Sequence, residues 1–254
     1  MSLKVPREWW REFFDQDYLK IYKKQDLVRA PGEVEGILKI LNLPKGSRIM
    51  DLCCGYGRHS IPLAKSGFEV TGLDLSETLL RRAKKDSRKE GVKIRWRKGD
   101  MREIPFENEF DGVINIFTAF GYFEEDRENF KVIRGVSKSL KKGGKFLMDT
   151  VNREWIIRNF LDQGWEQIKR GTFALDEREL DLSRSRIRAR TLLIGGDKER
   201  EKSHSLRLYT LKEMIQMMEE SGLHLLSVFG RLDGSEYNLD SKRMVILTEK
   251  RRNP

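Results

Sequence analysis

Cysteine is scarce in this sequence of 254 residues: only Cys53 and Cys54 occur, and they are neighbours. Adjacent cysteines exclude a disulfide framework, and they do not chelate a metal as a spaced pair does. The three histidines, at positions 59, 204 and 224, show no ligand spacing. We therefore expect neither a disulfide nor a metal site.

Long apolar runs are also missing. No run approaches the roughly 20 consecutive apolar residues that a membrane-spanning helix needs. The opening segment MSLKVPREWW lacks the apolar stretch of a secretory signal. We therefore expect a cytoplasmic protein without a membrane partner.

Charge is abundant and of both signs. Fifty Lys and Arg against forty Asp and Glu give a net charge of +10. A basic excess favours a polyanionic partner, whereas many charges of both signs are typical of a solvated surface. The basic residues are concentrated at 81–98, beyond the second predicted strand and towards one edge of the predicted sheet. A nucleic-acid partner therefore stays open but is not favoured.

Strand-type apolar runs alternate with helical patterns between residues 49 and 148. Helical spacing occurs at 59–66, 77–90 and 126–141. The runs between these helices are Ile49–Cys53, Val70–Leu73, Ile94–Trp96, Val113–Phe117 and Phe146–Met148. Strands separated by helices pair in parallel through right-handed crossovers. The sequence therefore predicts a doubly wound α/β sheet.

The segments around this core differ from it. An aromatic N-terminal stretch predicts a short helix, an irregular segment to Pro31 and a second helix from Glu33. After Asn152 we expect a helix and then an antiparallel β meander over 171–209, with a hairpin turn at Gly195–Asp197. We divide the single domain into an N-terminal helical lid (1–32), a core (33–150 and 210–254) and an insert (151–209).

A glycine pair marks the binding site. Gly55 and Gly57 lie between a predicted strand and a helix, where they allow a tight turn against a ligand. Asp74 ends the next strand, where a carboxylate can accept from both ribose hydroxyls. A dinucleotide and S-adenosylmethionine compete for this pattern. Asp51 decides between them, because a carboxylate repels a pyrophosphate but attracts an ammonium and a sulfonium. Ser60 stands where the dinucleotide-binding pattern has its third small residue, which is a milder departure from that pattern.

Five segments in order resemble the class I S-adenosylmethionine-dependent methyltransferases. They are Asp51–Gly57, Gly72–Ser76, Gly99–Met101, Phe110–Asn115 and Leu140–Phe146. The resemblance implies a Rossmann-like sheet of seven strands whose last strand is antiparallel, and S-adenosylmethionine as methyl donor without a metal. Cys53 departs from the family, since it replaces the first glycine of the loop.

The resemblance and the loop together predict the cofactor contacts. Asp100 would accept from the adenine amino group, Arg58 would bind the donor carboxylate, and aromatic residues of the lid would cover the sulfonium. The full set of expected cofactor-binding residues is Tyr22, Asp51, Cys53, Gly55, Gly57, Arg58, Asp74, Leu75, Asp100, Met101 and Phe117.

The acceptor side is predicted from position in the chain. Tyr18, Tyr122, Asn152 and Arg153 are the expected substrate-binding residues, and Tyr122 is the candidate catalytic group, as an orienter or a weak general base. Simple ring packing for Tyr122 and helix capping for Asn152 are the competing interpretations. The meander would form a roof over the acceptor or a dimer contact.

The segment after the fourth strand lacks the Asn-Pro-Pro-Tyr motif with which some branches of the family hold a planar nitrogen of DNA or protein. We therefore expect in-line methyl transfer to nitrogen or oxygen of a small molecule, by a monomer or homodimer. The alternatives are an RNA or protein methyltransferase and a non-catalytic S-adenosylmethionine-binding protein.

Overall fold

The computed structural model describes residues 3–169, 171–195 and 199–251, except for the side chains of 20–27 and 169. Its helices are α1 (Trp10–Phe13), α2 (Gln16–Leu41), α3 (Ser60–Lys65), α4 (Glu77–Lys89), α5 (Asp126–Ser139), α6 (Arg153–Arg158) and α7 (Leu211–Glu220). Its strands are β1 (Arg48–Leu52), β2 (Glu69–Asp74), β3 (Arg95–Lys98), β4 (Phe110–Asn115), β5 (Leu140–Val151), β6 (Gln163–Lys169), β7 (Thr172–Asp181), β8 (Arg186–Ile194), β9 (Arg200–Arg207), β10 (Leu223–Phe229) and β11 (Arg243–Lys250).

Seven strands form the main sheet, in the order β10-β11-β5-β4-β1-β2-β3. Strands β1 to β5 pair in parallel, and β11 runs antiparallel to both β5 and β10. This arrangement confirms the predicted doubly wound, mostly parallel sheet and its antiparallel last strand.

Both faces of the sheet are buried, which explains why the strands read as nearly continuous apolar runs. On one face, Ile49 of β1 packs with Ile37 and Leu41 of α2. On the other face, Met50 of β1 packs in the cluster that contains Ile133 of α5. Neighbouring residues of β1 therefore serve opposite layers, as the two-residue period of a strand requires.

The N-terminal helix is longer than the sequence predicted. Asp15 caps α2 by accepting from the Asp17 and Tyr18 amides at 2.9 and 3.0 Å. The helix then continues through Pro31 to Leu41. The expectation of an irregular segment before Pro31 was wrong, because proline removes one backbone donor but the helix continues on both sides of it. The lid boundary drawn at residue 32 falls inside this helix.

The insert is a four-stranded antiparallel sheet in the order β6-β7-β8-β9, with one strand more than predicted. Strand β6 was missed because its sequence lacks a buried alternating face, and Trp165 within it is 73% exposed. The predicted third strand at Leu206–Tyr209 is β9, which begins earlier, at Arg200. Of the predicted hairpin turn, residues 196 and 197 lie outside the described part of the chain.

The insert is docked onto the main domain by a buried cation. Arg186, 2% exposed, donates to the Phe123 carbonyl at 2.6 Å and to Ser205 Oγ at 3.0 Å. The Arg207 amide donates to the Gly121 carbonyl at 2.8 Å. Strand β9 is thereby fixed beside the segment that follows β4. None of the helices in the described ranges has the length and apolarity to cross a membrane.

Trp96 of β3 packs closely against Gly72 of β2, and a substitution at Gly72 tests this packing. A Cβ on Gly72 would lie 2.5 Å from two carbons of the Trp96 ring and 2.9 Å from Cys54 Sγ. We expect Gly72→Ala to lower the free energy of unfolding by about 1–3 kcal/mol, because overpacking displaces neighbours. Urea denaturation measures this. Gly32→Ala in α2 is the control, since its Cβ would meet nothing within 4 Å; equal stability of the two variants would contradict the packing.

Candidate active site

A cavity of about 270 Å³ opens at the carboxyl ends of β1 to β4. Its floor is built by the segments that directly follow those strands, and its cover by the N-terminal segment and β9. Parallel strands bring their carboxyl ends to one edge of the sheet, where α/β proteins bind ligands. The lining residues that follow the strands include Cys53, Gly55, Leu75, Asp100, Met101, Ile116, Phe117 and Thr118.

The turn after β1 is left-handed at three positions. Cys53, Gly55 and Gly57 have φ angles of 61°, 56° and 81°. Cys53 thus adopts the backbone conformation that glycine favours, so the loop keeps its shape despite the substitution. Burial raises the pKa of the Cys53 thiol well above its usual value, which keeps it neutral. Gly57 shapes the turn but does not line the cavity.

Asp51 lies at the floor of the cavity and is 2% exposed. Burial raises its pKa, and His59 and a hydrogen bond from Ser60 oppose that rise. The Ser60 Oγ donates to Asp51 Oδ2 at 2.5 Å. Ser60, which the sequence presented only as a departure from the dinucleotide pattern, therefore holds the carboxylate that faces the ligand.

Asp74 ends β2 and joins it to the glycine turn. The Gly55 amide donates to Asp74 Oδ2 and the Ser76 amide to Oδ1, both at 2.7 Å. Burial raises the pKa of Asp74 to about 6, although these backbone hydrogen bonds oppose the rise. The carboxyl group lines the cavity, as the predicted contact with the ribose requires.

Asp100 follows β3 at another end of the cavity. Arg102 donates to it from its side chain at 3.0 and 2.6 Å and from its amide at 2.9 Å. Partial burial raises the pKa of Asp100, but these hydrogen bonds outweigh burial and hold it below its usual value. The Arg102 guanidinium lies 4.5 Å from the Phe123 ring and 5.9 Å from Trp10.

A buried cation, the Arg58 guanidinium, lies beside the turn after β4. Arg58 is 8% exposed, and its guanidinium lies 4.6 Å from the Phe117 ring and 3.4 Å from Glu33 Oε2. His59 Nε2 contacts the same Glu33 oxygen at 2.8 Å. Glu33 belongs to α2, so this helix positions the cation at the cavity.

The turn after β4 is held by a carboxylate from β5. Phe117 and Thr118 are both left-handed, with φ of 68° and 60°. Asp149 Oδ2 accepts from the Phe117 amide at 3.0 Å, and its carbonyl accepts from the Thr118 amide at 2.9 Å. Arg243 in turn donates to both Asp149 oxygens at 2.8 Å. Asp149 therefore holds the loop that lines the cavity.

Aromatic rings of the N-terminal segment cover the cavity. The Tyr122 ring lies 4.9 Å from Trp9 and stacks on Phe14 at 5.9 Å. Phe14 lies 5.1 Å from Tyr18, which also lines the cavity. Burial raises the pKa of Tyr122 far above its usual value, so its phenol stays protonated and suits an orienting hydrogen bond better than base catalysis. The side chain of Tyr22 lies outside the described residues.

His204, which the sequence pattern did not single out, reaches the cavity from β9. Burial lowers its pKa to about 4, against the opposing influence of Asp176, so the imidazole is neutral at physiological pH. The Nδ1 atom is buried and has no hydrogen-bond partner among the described residues. The sequence does place His204 two residues before Leu206, and alternate residues of a strand share one face. This spacing could have indicated that His204 lies on the same face as Leu206.

Two predicted substrate-binding residues lie elsewhere. Asn152 is fully buried, caps α6 through the Glu154 amide and donates to the Ser241 carbonyl at 2.8 Å. Arg153 donates to Ser185 Oγ at 2.6 Å. The structure thus corrects the prediction that these residues line the pocket, because capping and loop contacts use their polar atoms.

The side chains present fit S-adenosylmethionine. Three carboxyl groups line the cavity, at positions 51, 74 and 100, and so does the buried guanidinium of Arg58. Carboxylates suit an ammonium, a sulfonium and ribose hydroxyls, whereas an anionic pyrophosphate would be repelled. Within the described ranges, no group of three or more metal-ligating side chains occurs.

Comparison with known proteins agrees with this chemistry. Residues 49–144 match the family model described as a methyltransferase domain. The chain is 28% identical over 222 residues to YqeM of Bacillus subtilis (strain 168), which carries a methyltransferase name; the match covers 82% of this chain and 86% of YqeM. Residues 49–144 thus carry a methyltransferase domain, and the fold is the Rossmann-like fold of S-adenosylmethionine-dependent methyltransferases.

Two further likenesses extend over nearly the whole chain. It is 26% identical over 250 residues to the cypemycin N-terminal methyltransferase of Streptomyces sp, covering 93% of this chain and 97% of that protein. The fold superposes with a TM-score of 0.74 on the sugar N-methyltransferase KedS8 of Streptoalloteichus sp ATCC 53650, at 16% identity, covering 99% and 96% of the two chains. The second likeness shows the fold alone.

The raised pKa of Asp74 predicts a pH-dependent affinity for S-adenosylhomocysteine. With a pKa of about 6, most Asp74 side chains are protonated at pH 5 and ionised at pH 7. If the ionised form binds the ribose, the dissociation constant should rise about tenfold from pH 7 to pH 5. Calorimetric titration measures this.

Asp74→Asn should bind more weakly and lose this pH dependence. Asp111→Asn is the matched control, because Asp111 pairs with Lys141 and does not line the cavity. The same pH slope in Asp74→Asn as in the wild type would refute the assignment.

The pair of Asp149 and Arg243 predicts a large stability effect. The Asp149 side chain is 5% exposed, so Asp149→Asn leaves Arg243 without its anionic partner in a largely buried place. We expect the free energy of unfolding to fall by about 3–5 kcal/mol, as when one partner of a buried ion pair is removed. Urea denaturation measures this. Asp240→Asn, which breaks an exposed pair with Arg158, should change stability little.

Proposed function

We propose that this enzyme methylates nitrogen or oxygen of a small molecule that binds between the turn after β4 and strand β9. One observation carries the proposal: the cavity is covered from two sides. Trp9, Phe13 and Phe14 cover it from the N-terminal segment, and His204 and Leu206 cover it from β9. The same cavity, of about 270 Å³, also has to hold the donor, so the space left under the cover suits a compact acceptor and not a folded macromolecule.

The residues divide into a binding set and a covering set. Asp74 would hold the ribose hydroxyls, Asp100 the adenine amino group, Asp51 the ammonium and Arg58 the carboxylate of S-adenosylmethionine, which supplies an electrophilic methyl group. The aromatic cover excludes water from the reacting atoms. Excluding water and fixing geometry are the main contributions that a protein makes to such a displacement.

Tyr122 would orient the acceptor. Its ring is fixed between Trp9 and Phe14, and it lines the cavity. A protonated phenol in this place can donate to the acceptor or accept from it. The name of KedS8, a sugar N-methyltransferase, supports a small acceptor, whereas the name of the cypemycin enzyme corresponds to the alternative of an N-terminus as acceptor.

The experiment separates acceptor classes in one extract. A cell extract is divided into small molecules under about 1 kDa, protein and RNA, a division suited to the acceptor size that an enclosed site admits. Each fraction is incubated with the enzyme and methyl-labelled donor. We expect label in the small-molecule fraction, and none there with Asp74→Asn at donor concentrations that saturate the wild type.

The other outcomes decide among the alternatives. Label in the protein fraction would favour a peptide or protein acceptor, and label in RNA would favour the nucleic-acid alternative. Binding of S-adenosylhomocysteine without label in any fraction would favour a non-catalytic binding protein. Each of these results contradicts the proposal.

A further inference from the structure

Arg102 holds the carboxyl group of Asp100, which lines the cavity after β3. Its Nε donates to Asp100 Oδ1 at 3.0 Å, its Nη2 donates to Oδ2 at 2.6 Å, and its backbone amide donates to Oδ1 at 2.9 Å. Among the described residues, Arg102 supplies every hydrogen bond that this carboxyl group accepts. Two parallel bonds from one planar guanidinium fix both the position and the plane of a carboxylate.

The Arg102 guanidinium is itself fixed by three other segments of the chain. It lies 4.5 Å from the ring of Phe123, which follows β4, and 5.9 Å from the ring of Trp10 in α1. Its Nη1 donates to Glu128 Oε2 of α5 at 3.4 Å. A side chain that is supported on several sides keeps one rotamer, so the carboxyl group that it holds keeps one orientation.

These hydrogen bonds leave Asp100 with one acceptor site. An ionised carboxylate has about four lone-pair sites, two on each oxygen. Arg102 fills both sites on Oδ1 and one on Oδ2. Burial raises the pKa of Asp100, but the hydrogen bonds and the charge of Arg102 outweigh burial and hold the pKa below its usual value. The carboxyl group is therefore ionised, and its remaining site on Oδ2 can accept from one N–H group.

We propose that Arg102 is a positioning residue that gives the site its selectivity for the amino group of adenine, an inference that rests on the proposed function. Arg102 orients Asp100 so that the remaining site on Oδ2 accepts from that amino group. Arg102 does not itself line the cavity, so it acts through Asp100.

A purely structural ion pair would have a different consequence. If the pair only stabilised the loop after β3, its loss would weaken the binding of every ligand of the cavity by the same factor. If Arg102 orients Asp100 towards the amino group, its loss weakens only the ligand that carries this group. All other contacts are common to two ligands that differ in this group alone, so these contacts cancel in the ratio of the two dissociation constants.

The test is a calorimetric titration with two ligands, S-adenosylhomocysteine and its analogue with hydrogen in place of the adenine amino group. We expect the wild type to bind the first about tenfold or more tightly, which is the scale of one hydrogen bond to a charged group. Arg102→Met keeps an unbranched side chain but removes its donors. In this variant the dissociation constant of S-adenosylhomocysteine should rise about tenfold, and that of the analogue should stay within about twofold.

Two further variants separate positioning from packing. Arg102→Lys keeps a cation without the planar fork, so it should recover part of the preference for the amino group. Glu128→Gln is the matched control, because it changes the outer partner of Arg102 and leaves the contacts with Asp100 in place. Its preference should equal that of the wild type. A preference lost in Glu128→Gln as fully as in Arg102→Met contradicts the role of the Asp100 contact.

The outcomes distinguish this inference from the proposed function. An equal loss of affinity for both ligands in Arg102→Met overturns the positioning role, and so does an unchanged preference in that variant; both leave the proposed function intact. A wild type that binds the two ligands equally well overturns the contact between Asp100 and adenine, and this inference with it. Absence of any binding of S-adenosylhomocysteine refutes the donor site of the proposed function itself.

Discussion

The hydrogen bond from the Gly55 amide to Asp74 is the contact on which the cofactor site depends. It joins the turn after β1 to the end of β2 at 2.7 Å. A buried carboxylate is costly unless it is hydrogen-bonded, and here the amides of Gly55 and Ser76 supply the bonds. Gly55 reaches this position with a positive φ of 56°. The shape of the turn and the position of the Asp74 carboxyl group therefore depend on each other.

The two turns that line the cavity contain residues other than glycine with left-handed backbone angles. Cys53 after β1 and the pair Phe117–Thr118 after β4 adopt these angles. Such residues cost on the order of 1–3 kcal/mol each and persist where the surroundings determine them. For the second turn the surroundings are identifiable: Asp149 binds both amides and is itself bound by Arg243. Strands β5 and β11 thus stabilise a loop that belongs to β4.

The core strands and the carboxyl groups that line the cavity could be predicted because their signals are local. A parallel strand buried on both faces is an uninterrupted apolar run, and glycines or acids follow it directly. The course of the chain through Pro31 could not be read, since packing of α2 overrides the proline signal. Asn152 was misplaced because capping and pocket lining require the same polar residue. His204 depends on how the insert docks, and that docking rests on Arg186 reaching the Phe123 carbonyl.

The cover of the cavity is linked to the carboxyl group of Asp74. Ser76 Oγ donates to the Phe14 carbonyl at 2.6 Å, while the amide of the same serine donates to Asp74. On the other side, Lys202 of β9 donates to the Phe13 carbonyl. The N-terminal segment is thus held between the main sheet and the insert by contacts to its backbone. Ser76 therefore links the carboxyl group of Asp74 directly to the segment that covers the cavity.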